Sequence, residues 1–159
     1  MLGIISKIFG GNKSEKDIKK ISPYVGQINH FFNSYQSLSN DELRNKTQEF
    51  RKRIKEHLID INAEIEAKNA SAEELPFNDL MGKDAIYQQV DKLKKERDKK
   101  VEEILKEILP EAFAVVKETC RRFKDNTELV STATDLDKDL SVKKDYITIE
   151  GEKSIFKNS

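Results

Sequence analysis

The chain of 159 residues has one cysteine, two histidines and six glycines, and these scarcities remove several classes of chemistry at the outset. Cys120 has no partner within the chain, so an intramolecular disulfide is excluded and a reducing cytoplasm is the simplest compartment. Its setting beside Val115, Val116 and Phe123 predicts a small core residue rather than a reactive thiol. His30 and His57 fall on different predicted helices and neither belongs to a Cys/His cluster, so their spacing supports neither a zinc site nor a Cys-His nucleophile pair. ATP hydrolysis needs a glycine-rich turn written G-x-x-x-x-G-K-[ST], whose backbone N–H groups cradle phosphates. None of Gly3, Gly10, Gly11, Gly26, Gly82 and Gly151 fits it; Gly82-Lys83 comes nearest but is followed by Asp84. A dinucleotide fingerprint is absent too. Acid pairs such as Asp41-Glu42 and Glu102-Glu103 lie on charged helices, where a partner one turn away explains them without acid/base catalysis. No catalytic, cofactor-binding or metal-binding residue is assigned.

The chain also lacks charge of one sign. Lysine plus arginine and aspartate plus glutamate both number 29, so there is no global footprint for nucleic acid. A local bias lies at the front, where Lys7, Lys13, Lys16, Lys19 and Lys20 face only Glu15 and Asp17. A long apolar run is missing as well: the first nine residues are mostly apolar, whereas a spanning helix needs about 18–20. Gly10-Gly11 and the lysines beyond offer no small-residue cleavage site. Neither a secretion signal nor a transmembrane anchor is expected.

What is present reads as amphipathic helix. Apolar and charged residues are 36% each, a balance of long solvated helices rather than a thick core. Met1, Leu2, Ile4, Ile5, Ile8 and Phe9 crowd one side of a short helix, opposite Ser6 and Lys7, with Gly10 placed to end it. Ser14 and Asp17 predict a capping box opening a second helix through Ile18 and Ile21, stopped near Pro23. A third follows from Tyr24, with Val25, Ile28, Phe32 and Tyr35. Ser39 and Glu42 form another capping box, and Leu43, Phe50, Ile54, Leu58, Ile61 and Ile65 keep helical spacing to about Lys68. Asn69-Ala70-Ser71 and Pro76 predict a break, after which Ile86, Val90 and Leu93 begin a helix through Ile108. Two long amphipathic helices around a polar break suggest an antiparallel hairpin.

The run from Lys94 to Lys100 has no apolar residue and is expected to stand in water. Pro110 suits the first turn of a further helix, whose Ala112, Phe113, Val115, Val116, Cys120 and Phe123 call for burial on several faces. Thr132 to Asp139 reads as a loop. Asp145 to Glu150 and Ser154 to Phe156 then read as two strands around Gly151-Glu152, a hairpin expected to finish packing against sequence not in this chain. The fold class is therefore mainly α, ending in a β-hairpin.

Two stretches carry a specific resemblance. Leu-Ser-x-x-Glu-Leu-x-x-Lys-Thr-x-x-Phe-Arg-x-Arg occupies Leu38 to Arg53, and Leu-Pro-Glu-Ala-Phe-Ala-Val-Val occupies Leu109 to Val116. With the opening Met1 to Gly10, these resemble the N-terminal region of the SecA family, ATP-driven motors of bacterial preprotein translocation. In that family the second stretch leads into an adenine-recognising segment and then the P-loop. This chain reaches Ser159 before either, and about 45 residues from roughly Glu56 to Lys100 separate the two motifs where most members have a short loop.

The resemblance implies a front segment of 1–12 for docking, a helical region of 13–124 with an inserted hairpin at about 56–105, and 125–159 as the incomplete start of an α/β nucleotide-binding domain. It implies ATP and magnesium for the full-length parent but none held here. The implied partners are the SecYEG channel, anionic phospholipid, preprotein and the rest of the motor, with a homodimer left open and no nucleic acid. The implied place is the cytoplasm, peripheral on the inner face of the bacterial membrane. Met1, Leu2, Ile4, Ile5, Lys7, Ile8, Phe9, Lys13 and Lys16 are the expected membrane- or channel-binding residues, an apolar face backed by cations. The competing reading of the same residues is a non-enzymatic helical adaptor tethered by its N-terminal helix.

Overall fold

The computed structural model describes residues 11–158, with side chains from residue 15 onward. Its elements are α1 (Gly11–Tyr35), α2 (Asn40–His57), α3 (Ile59–Glu74), α4 (Leu80–Asp125), β1 (Glu128–Thr132), α5 (Asp135–Ser141), β2 (Ile147–Glu150) and β3 (Lys153–Lys157). The class is mainly helical with a C-terminal hairpin, as expected. The chain divides into two compact units, one of residues up to Lys46 together with Pro110 onward, the other of Thr47–Leu109.

The Thr47–Leu109 unit is a helical hairpin whose core follows directly from spacing. Leu58, Ile61 and Ile65 pack with Val90, and Ile54, Ile86, Leu93 and Val101 close around them, the i, i+4, i+7 arrangement of an apolar stripe. Arg53 and Glu107 form an ion pair of 2.7 Å. The charged run is exposed except at Arg97, which is partly buried one turn from both Leu93 and Val101. Two expected boundaries move. The helix from Leu43 is interrupted at Leu58, whose φ of −102° and ψ of 1° turn its buried side chain into the core. It does not stop at Asn69–Ser71 but continues to Glu74, because Ala72 is fully buried and the Ser71 hydroxyl bonds the Ala67 carbonyl one turn back.

In the other unit Tyr35, Leu43 and Ala114 form the core, flanked by Ile28, Phe31, Phe32, Leu38 and Val115. The expected short N-terminal helix, with its end at Gly10, lies outside the described residues. The backbone is already helical at Gly11, so Ser14 is inside a helix rather than opening one. Pro23 and Pro110 both lie inside helices, correcting the expected stop and start there. A proline removes one N–H, and the carbonyls that lose it belong to Lys19 and Lys106, exposed residues where water can substitute.

The sheet holds three antiparallel strands in the order β1-β3-β2. Glu150 pairs with Lys153 across the two-residue turn Gly151-Glu152, and of these two Gly151 takes a positive φ, 60°, as the first central position of a II′ turn requires. Within this chain β1 adds a third strand to the hairpin, pairing along β3 with Val130 opposite Ile155 and Ser131 opposite Ser154. The segment read as a loop holds the end of β1 and most of α5, capped by Thr134 and Asp137.

Candidate functional site

The nine residues expected to bind a membrane or channel divide by position. Met1, Leu2, Ile4, Ile5, Lys7, Ile8 and Phe9 lie outside the described residues. Lys13 is on the first turn of α1, and Lys16 is exposed one turn on. The apolar pattern continues along α1: Ile18, Ile21 and Val25 are each at least half exposed and, with Ser22, Gly26 and Asn29, border a shallow open groove. Lys16, Lys19 and Lys20 are exposed on the remaining faces of the same helix. Sequence reasoning had assigned Ile18, Ile21 and Val25 to helices without recognising that they stay uncovered. Among the described residues no helix is long and apolar enough to cross a membrane.

A second uncovered apolar face corrects the expectation for the helix after Pro110. Only one side of α4 is buried there, at Ala114, Glu118 and Arg122, while Phe113 is 55% and Val116 60% exposed. Cys120 shares the exposed side, so it is not the core residue its neighbours suggested. Periodicity identified the apolar positions; the buried stripe runs instead through a fully buried glutamate and its arginine.

That pair holds the unit together. Glu118 accepts from Arg122 Nε at 2.8 Å and from Arg121 at 2.7 and 2.8 Å. Arg121 chiefly, and Arg122 after it, hold the Glu118 carboxyl below its ordinary range. The remaining Arg122 nitrogens reach the turn between α1 and α2, donating to the carbonyls of Tyr35 (3.1 Å) and Leu38 (2.6 Å) and to Asn40 Oδ1 (2.7 Å). Arg122, beyond the Leu109 stretch on the same helix, thus ties α4 to the start of the Leu38 stretch.

The α2 N-terminus is itself built as expected. Ser39 N–H donates to Glu42 at 2.7 Å and Glu42 N–H to Ser39 Oγ at 3.2 Å, a reciprocal capping box. Its next residues close the outer edge of β1: Asn40 donates to the Val130 carbonyl, Asp41 accepts from Thr132 N–H and Oγ1, and Arg44 donates to the Thr132 carbonyl. Arg44 then grips Asp137 bidentately at 2.6 and 2.8 Å. Asp137 is 1% exposed, and the Arg44 guanidinium, helped by Thr134, holds its carboxyl down to about 2. These are positioning contacts among paired groups, with no nucleophile or base left over.

A nucleotide finds no fit among these residues. Gly82 N–H, the nearest approach to a phosphate-binding glycine, already donates to Asp79 Oδ1 at 2.9 Å, and a carboxylate there repels an anion. No group of three or more His, Cys, Asp or Glu side chains among the described residues is arranged to hold a metal ion. Two apolar helix faces stay uncovered on a unit fixed by the buried Arg122 and the partly exposed Arg44.

Comparison with known proteins places this arrangement. Residues 5–132 match the family model of the SecA DEAD-like domain. The chain is 42% identical over 158 residues to a relative from Christiangramia forsetii, covering 99% of this chain. It is 43% identical over 155 residues to one from Flavobacterium psychrophilum, covering 98%, and 40% identical over 154 residues to one from Parabacteroides distasonis, covering 97%. Each of the three is named Protein translocase subunit SecA. The chain spans only 13–14% of the length of these relatives. No solved structure matches it.

Proposed function

The chain belongs to the SecA family of protein translocase subunits, and we propose that it is the membrane- and channel-docking front of an ATP-driven preprotein export motor. The observation that supports this reading is the exposed stripe Ile18, Ile21 and Val25, with Lys16, Lys19 and Lys20 exposed on the other faces of the same helix. It extends the apolar and basic pattern of Met1 to Phe9 into a folded helix. A peripheral helix of this kind lies in the headgroup plane, and each cation near an anionic surface adds about 1 kcal/mol. The SecYEG channel, anionic phospholipid and preprotein are the partners this role implies, at the cytoplasmic face of the bacterial membrane.

The second uncovered face, Phe113 and Val116 on α4, packs on the rest of the motor, which in the relatives makes up most of the chain. ATP and magnesium are assigned by this reading to that remainder, and no step of hydrolysis is assigned here. The adaptor alternative shares the membrane contact but predicts a stop codon after Ser159, where the motor reading predicts a frame continuing into a P-loop.

The test is co-sedimentation with liposomes containing anionic lipid. Replacing Ile5 and Phe9 together by glutamate is expected to abolish binding. Undiminished binding by that double variant rejects the docking role.

A further inference from the structure

We propose that the groove on α1 is the resting place of the chain's own front segment: away from a membrane Met1–Phe9 folds back onto Ile18, Ile21 and Val25, and an anionic bilayer releases both apolar surfaces together. This rests on the docking reading above and adds a switch to it. Ile18 is 63%, Ile21 59% and Val25 50% exposed, and with Ser22, Gly26 and Asn29 they border one groove. The floor is open to close approach, since a Cβ at position 26 would meet nothing within 4 Å.

Proximity is the first reason for this occupant. The backbone is helical from Gly11, so Ile18 stands about 12 Å along the axis from Gly10 and Val25 about 22 Å. The segment from Met1 to Phe9 reaches about 13 Å as the helix its spacing predicts and up to about 30 Å when extended. Reversed at Gly10, where glycine permits a turn, it covers Ile18 in the first form and the whole groove in the second. Chemistry agrees. Leu2, Ile4, Ile5, Ile8 and Phe9 leave water together with the groove when the two meet. Glu15 and Asp17, the only acids in the first two turns of charge before Ile18, are exposed on the stretch that a reversed Lys7 would pass. A second copy competes poorly, because a segment attached beside the groove is at a far higher effective concentration than a free partner.

The bilayer competes for the same side chains. They can bury in the groove or at the acyl boundary, not in both, and Lys7, Lys13 and Lys16 are attracted only by the anionic surface. Folded back, the front of the chain keeps its apolar patch out of water. Released, it presents a longer docking face.

The experiment is disulfide trapping in the full chain, with the exposed Cys120 first replaced by serine. Leu2→Cys is combined with Ile18→Cys in the groove, or with Lys20→Cys on the opposite side of α1 by helical spacing. Without lipid the groove pair is expected to oxidise about tenfold faster or more. Anionic vesicles should bring the two rates together, and neutral vesicles should not. The oxidised groove pair should bind anionic vesicles about tenfold more weakly than the same protein after reduction. Equal rates without lipid overturn the proposal, as does a groove disulfide that forms between two chains, which would assign the groove to a second copy. If the reduced protein binds anionic vesicles while the groove pair oxidises at an unchanged rate, the release is overturned. If the reduced protein binds no vesicles, the docking reading fails, and fast trapping without lipid still upholds the fold-back. Circular dichroism checks folding, and Ile21→Cys takes the place of Ile18→Cys if that variant does not fold.

Discussion

At the scale of single residues the unit of α1, α2, the end of α4 and the sheet depends on charges buried in pairs. Asp137 has the clearest consequence for pH. Its carboxyl titrates near 3.8 when free and at about 2 beside Arg44, so on acidification the unfolded chain takes up the proton first. The stability it contributes is complete above about pH 4 and is lost as pH falls through about 2. With Arg44 partly exposed, that loss is about 1–2 kcal/mol. Urea denaturation at pH 5 and pH 2 should show a steeper acid loss in the native chain than in Asp137→Asn, whose amide cannot titrate. Glu118, also held low by its arginines, contributes in the same direction to both proteins, so the difference isolates Asp137. Little of this was legible in sequence. Ser39 and Glu42 could be read because a capping box is local. Arg44 and Asp137 lie 93 positions apart and Arg122 and Asn40 lie 82 apart, and in sequence each looks like one more charge on a solvated helix. Cys120 misled for the converse reason: a pattern tells which residues are apolar, not which side of the helix is covered.

At the scale of elements the legible features were those with a local signature. The antiparallel helical pair and the Gly151-Glu152 turn both followed from spacing and turn chemistry. Gly151→Ala should cost about 1 kcal/mol, since the alanine must be held at a φ of 60°. Thermal melts should show the shift, with a smaller one for Glu152→Ala, where no positive φ is required. Boundaries set by tertiary burial were not legible. Leu58 interrupts a helix because its side chain is wanted in the core, and Ala72 prolongs one for the same reason. Pro23 and Pro110 end nothing, since the carbonyls that lose a partner, those of Lys19 and Lys106, belong to exposed residues where water can substitute. Strand β1, Glu-Leu-Val-Ser-Thr, is too short and mixed to stand out. Thr134 and Asp137, by contrast, spell a capping box three positions apart that could have revealed α5.

At the scale of the whole molecule the two cores share no residue, and mutations should respect that. Val90, 2% exposed in the hairpin core, should cost about 1–3 kcal/mol when cut to alanine. Hydrogen exchange should then quicken between Thr47 and Leu109 while amides around Tyr35, Leu43 and Ala114 keep their protection. Uniform loss of protection would mean that the units unfold as one. The cover over β1 also bears on how the protein behaves in a crowded cell. An open strand edge is a template on which another chain can add. Here three side chains from the first turns of α2 already occupy the groups such an intruder would need. Fraying of those turns would uncover Leu129 and Val130 beside unpaired amides, so the start of α2 doubles as a guard against aggregation.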